Sequence, residues 1–64
     1  MTFYVTFGQD HPLKDYWMEI KAATYDVARS IAMSALGTKF AFLYSEDKFD
    51  KAYFPGGKVG KTME

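Results

Sequence analysis

The chain contains no cysteine. That excludes disulfide staples and thiolate metal sites, and it leaves the redox compartment undetermined. Histidine is scarce too: His11 stands alone, whereas a catalytic zinc site normally draws on three protein ligands, often several of them histidines. Neither sign of charge is in excess, because eight Lys/Arg balance eight Asp/Glu. A general nucleic-acid coat needs surplus positive charge to neutralise phosphates, and an acidic mimic of DNA needs the opposite, so neither is expected. Long apolar runs are also missing. The longest is Phe40–Tyr44, far short of the roughly 20 residues of a membrane span. The opening MTFYVTFGQD has no basic segment leading into an apolar one, so no signal peptide is read there. A cytoplasmic location without a membrane partner is the resulting expectation.

What is plentiful is aromatic surface. Six Phe, five Tyr and one Trp occur in 64 residues. A chain of this length forms one domain and buries only about 60% of its unfolded surface. Aromatic side chains, each able to bury on the order of 150–250 Å², are its means of building a core.

Periodicity predicts the elements. Thr2 to Gly8 reads as a strand, with Phe3, Val5 and Phe7 on one face and Tyr4 and Thr6 on the other. A loop containing His11-Pro12 follows, and Pro12 holds His11 extended. In Tyr16–Ala22, Met18, Ile20 and Ala22 alternate with Trp17, Glu19 and Lys21, the pattern of a sheet covered on one side. Thr24 is an N-cap for a helix over Tyr25–Leu36. Tyr25, Val27, Ala28, Ile31, Ala32, Ala35 and Leu36 share its apolar half, and Gly37 ends it. A third strand spans Lys39–Ser45, with Phe40, Phe42 and Tyr44 on the face turned to the helix. Residues 46–54 read either as a short helix capped by Ser45, pairing Phe49 with Tyr53, or as a fourth strand; the helix is preferred. The fold class is therefore α+β: a small antiparallel sheet of three to four strands with one amphipathic helix on one face, in β-β-α-β order. One domain is expected over 1–57, with 58–64 as a flexible tail.

Few segments suggest chemistry. PGGKVGKT, from Pro55 to Thr62, ends like the phosphate-binding loop G-x-x-x-x-G-K-[ST]. Pro55 stands where the first glycine is required, and the two residues after Thr62 leave no helix to present backbone amides to a phosphate. The segment reads as a turn and a tail carrying Lys58 and Lys61, which are free to touch an acidic partner. His11, near Asp10 and Asp15, reads as a turn residue ahead of proline rather than a ligand or a general acid–base. Glu46, Asp47 and Asp50 do not follow the calcium-loop spacing, and Lys48 and Lys51 neutralise them. No serine, lysine or carboxylate has an evident activating partner. No enzyme activity, metal or cofactor is expected.

The aromatics carry the functional expectation. One helix covers only one face of a sheet, so Tyr4 and Trp17 are expected on the other face, which is either open or covered by the C-terminal segment folding over it. Exposed Tyr and Trp suit a protein interface and also stacking on unpaired bases. The candidate contact residues are Tyr4, His11, Leu13 and Trp17, with Lys58 and Lys61 in the tail. A single-stranded nucleic-acid module would use the same aromatics, with Lys14, Lys21, Lys58 and Lys61 on phosphates. The sequence leaves room for a homodimer through an edge strand.

Five landmarks define a recognisable pattern: Phe7-Gly8, His11-Pro12-Leu13, Trp17 with Glu19, the aromatic strand Phe40–Tyr44, and Tyr53–Gly56. In these, and over nearly its whole length, the chain resembles a group of very short open reading frames of bacteriophages and prophages. The resemblance implies a context rather than a site. Phages use compact non-enzymatic proteins to bind and disable host machines, among them restriction, CRISPR and replication enzymes. A host-protein partner in the bacterial cytoplasm is what it implies.

Overall fold

The most apolar strand takes the centre of the sheet. The computed structural model describes all 64 residues, and in it β1 (Thr2–Thr6) is flanked on both sides. Antiparallel β2 (Tyr16–Lys21) lies along one edge and antiparallel β3 (Phe42–Ser45) along the other. A short strand β4 (Gly57–Lys58) runs parallel to β2, giving the order β3-β1-β2-β4. The sheet is thus mixed rather than wholly antiparallel, and one helix packs on it.

That helix, α1 (Tyr25–Leu36), has the predicted bounds. The Thr24 hydroxyl accepts a hydrogen bond from the Val27 amide at 3.2 Å, satisfying one of the free amides of the first turn. Gly37, at φ 60°, turns the chain out of the helix and donates its N–H to the Met33 carbonyl, a conformation that costs a side-chain-bearing residue more. Ala28 and Ala32 are fully buried against Phe3, Val5 and Ile20. Small side chains at the contact let the helix lie close to the sheet. Tyr25, Val27 and Ala35, assigned to the apolar half, are exposed instead. The helix buries a narrow stripe rather than half its circumference.

The other face of the sheet is covered by residues 46–54. They form neither the continuous helix nor the strand expected of them, but two single 3-10 turns, Glu46–Lys48 and Lys51–Tyr53. Phe49 and Asp50 between them are extended. A continuous helix would set Phe49 and Tyr53 side by side. The break turns Phe49 and Phe54 inward together, their rings stacked at 5.2 Å, and turns Tyr53 outward. Ser45 does not cap a helix; its hydroxyl donates to Asp47 Oδ1 at 2.6 Å. Asp50 performs the capping, its carboxylate accepting from the Ala52 amide.

Two further expectations change. β3 begins at Phe42, not Lys39, and its faces are opposite to the predicted ones for Phe42 and Tyr44. Tyr44 pairs with Tyr4 and Leu43 with Val5, so Leu43 lies on the helix side, where Phe40 also packs, while Phe42 and Tyr44 lie beneath. A shift of one residue inverts every side chain of a strand. The segment expected to be a free tail is hydrogen-bonded along β2. The Val59 amide donates to the Trp17 carbonyl, the Met63 amide to Glu19, and the Lys21 amide to Met63. Met63 packs against the core.

Candidate functional site

The structure places the predicted contact residues in three separate environments. Tyr4 and Trp17 are not exposed: they retain 3% and 8% of their accessible surface. Their rings meet edge to face at 5.1 Å. Phe49 stacks on Tyr4 at 4.5 Å and meets Trp17 at 5.9 Å. The Lys51 ammonium lies 5.3 Å from the Tyr4 ring and 5.0 Å from the Trp17 ring, within range of attraction by both π faces. The Tyr4 hydroxyl reaches Glu46 Oε2 at 3.5 Å. These residues form a second core, because an open sheet face carrying Tyr and Trp gains free energy when aromatic segments of the chain fold over it.

His11 and Leu13 belong to the loop between β1 and β2. Successive turns tie it down, from the Lys14 amide to the His11 carbonyl and from the Tyr16 amide to the Leu13 carbonyl. His11 Nδ1 accepts from the Leu13 amide at 3.0 Å, and its ring stacks on Phe7 at 5.0 Å. Both faces of the turn are therefore used in holding the loop. A shallow hollow of about 440 Å³ opens beside it, between Asp10 and His11 on one side and Thr38 and Lys39 on the other. No three His, Asp or Glu side chains are spaced to hold a metal ion.

Lys58 and the residues after it act at the edge of the sheet. The Lys58 ammonium donates to Thr62 Oγ1 at 2.7 Å and lies 3.9 Å from Glu19 Oε1, to which the Thr62 hydroxyl donates at 2.8 Å. Thr62 thus uses its hydroxyl to fasten the segment to β2, where a phosphate-binding loop would use it on a metal–phosphate complex. Lys61 is exposed. Gly56 makes the return to the sheet edge possible. A Cβ there would lie 2.7 Å from the Asp15 carbonyl oxygen and 2.8 Å from the Tyr16 ring.

Tyr53 was missed from the sequence as a surface residue. Tyr53 keeps 77% of its surface accessible, on the crest of the second 3-10 turn. Beside it is a hollow of about 400 Å³, lined by Tyr44, Phe49 and Phe54 and edged by Gln9, Lys48 and Asp50. Its walls are the upper side of the second core, so its shape is fixed by the stacked rings beneath. The signal available in the sequence was the pair Tyr53-Phe54: two adjacent aromatics in a tight turn face opposite ways.

Comparison of the chain with protein-family models, with curated proteins and with solved structures finds no match. No helix is long and apolar enough to cross a membrane.

Proposed function

We propose that this chain is a small non-enzymatic binding protein that recognises another protein, with the crest around Tyr53 as its contact surface. The observation that carries this reading is a tyrosine with 77% of its surface accessible beside a hollow walled by the stacked rings of Phe49 and Phe54. An apolar hollow with a polar rim, flanked by an exposed aromatic, has the anatomy of a binding hot spot. The walls of the hollow lose little side-chain entropy on binding, because Phe49 and Phe54 are already ordered by stacking. The phage-like sequence pattern supports a protein of the host bacterium as the partner, a defence or nucleic-acid-processing enzyme that would be inhibited or redirected in the cytoplasm.

Single-stranded nucleic acid draws less support. Its stacking residues Tyr4 and Trp17 are buried. Along residues 46–51, Glu46, Asp47 and Asp50 outnumber Lys48 and Lys51, so the segment has no surplus positive charge for phosphate.

The test is retention of partners from host lysate by the tagged protein, with and without nuclease, compared with Tyr53→Ala. We expect a host protein in both halves and its affinity to fall about tenfold or more in the variant. Unchanged retention by Tyr53→Ala would remove the site assignment. Partners that vanish with nuclease would replace the protein reading by the nucleic-acid one.

A further inference from the structure

One hydrogen bond in the loop between β1 and β2 depends on the protonation state of the side chain that accepts it. From Gln9 to Leu13 only two backbone amides find an acceptor within the protein. The His11 amide reaches the Gly8 carbonyl at 3.5 Å, a distance at which the bond is weak. The Leu13 amide donates to His11 Nδ1 at 3.0 Å. Pro12, between them, has no N–H to contribute. The Phe7 ring, stacked on the imidazole at 5.0 Å, holds the plane in which Nδ1 meets Leu13. Nδ1 accepts only while it carries no proton, so the ring proton of the neutral imidazole sits on Nε2. In the imidazolium both nitrogens are donors. Nδ1–H then opposes the Leu13 N–H, and either the ring leaves its place or the turn opens. The charged neighbours do not compensate. Asp10 and Lys39, of opposite sign, share the hollow with His11, and Lys14 and Asp15 are exposed further along the loop. The chain's one ion pair joins Lys58 to Glu19, so no carboxylate is in place to hold an imidazolium.

We propose that His11 is a pH-sensitive latch: the neutral imidazole holds the segment from Gln9 to Leu13 in its turn, and protonation releases it. Histidine changes charge between about pH 5 and 8. The order that the bond supplies belongs to the neutral ring, and it is lost as pH falls and the ring takes up its proton. The released segment contains Gln9, which lines the hollow beside His11 and also edges the hollow beside Tyr53. Release therefore loosens the rim of the contact surface. That last consequence rests on the binding reading of the Tyr53 surface; the latch itself does not.

NMR of the ¹⁵N-labelled full chain between about pH 8 and pH 5.5 tests the latch, because the imidazole shifts report the tautomer and backbone relaxation reports loop order. The expected result is the Nε2–H tautomer at the upper pH. Order parameters of Gln9, Asp10, His11 and Leu13 should fall from about 0.85 to below about 0.6 along the titration curve of the His11 ring, while α1 stays rigid. His11→Asn keeps a side-chain oxygen able to accept from the amide two residues on, and it does not titrate, so its loop should stay ordered at both extremes. His11→Ala should be flexible at both. An Nδ1–H tautomer at the upper pH would overturn the proposal. So would loop order that is unchanged while His11 titrates, or a pH response that persists in His11→Asn and so belongs to Asp10 or Asp15. The measurement uses no partner, so failure of the latch and failure of the Tyr53 reading are seen separately.

Discussion

The two faces of the sheet are covered by opposite means. On one, α1 satisfies its own backbone and contributes little side chain: the fully buried contacts are two alanines on Phe3, Val5 and Ile20. On the other, residues 46–54 have only two single turns of backbone hydrogen bonding and contribute large rings. Phe49 alone meets Tyr4, Trp17, Tyr44 and Phe54. Regular structure can be held with small side chains because its polar groups are already paired. An irregular strap must be held by what its side chains bury.

The contrast can be broken from either side. Ile20→Ala, in the fully buried helix-side core, should lower global stability by about 3 kcal/mol or more, measured by urea unfolding followed through helical ellipticity. Phe49→Ala, at a partly exposed position, should cost about 2 kcal/mol. Hydrogen exchange should show that loss concentrated in the strap amides of Ala52, Phe54 and Gly56, with α1 nearly unaffected. Equal loss of protection in α1 would mean that the two faces are not separable. Lys51→Met tests whether the ammonium matters beyond its stem: the change should cost about 0.5–1 kcal/mol, and added salt should shrink the difference if the attraction is electrostatic. The smallest effect concerns Asp47. The Ser45 hydroxyl holds its carboxyl below the ordinary aspartate value. The folded chain therefore favours the ionised form, so this contribution is present above the ordinary pKa and is lost as pH falls through the lowered one. In an NMR titration, Ser45→Ala should raise the Asp47 pKa toward its usual range.

How legible each part was follows from where its determinants lie. Helix α1 was read to the residue because Thr24, Gly37 and the spacing of Ala28 and Ala32 are local signals. The faces of β1 and β2 were legible because apolar and polar side chains alternate in β2 and converge on Val5 and Ile20. β3 was not, because Phe40-Ala41-Phe42-Leu43-Tyr44 is apolar at every position, so alternation gives no parity. Its register is set by pairing Tyr44 with Tyr4, a contact across the chain. The tail was unreadable for a similar reason: its partners are free carbonyls and amides of β2, which no side chain in the tail announces. At the candidate site, five charged residues among positions 46–51 disguised a segment that buries Phe49 and Phe54. With that segment misread, the sequence left undecided whether Tyr4 and Trp17 are covered, and Tyr53 was assigned to a helix face.

The position of Trp17 has one more consequence. It is the only tryptophan in the chain, and it lies under Phe49 and Lys51 rather than under the helix. Its emission is thus an intrinsic optical reporter of the strap, with a nearby ammonium to tune its wavelength, while far-ultraviolet ellipticity reports mainly on the opposite face. The two layers carry different spectroscopic labels, and the order in which they come apart can be read without adding a dye.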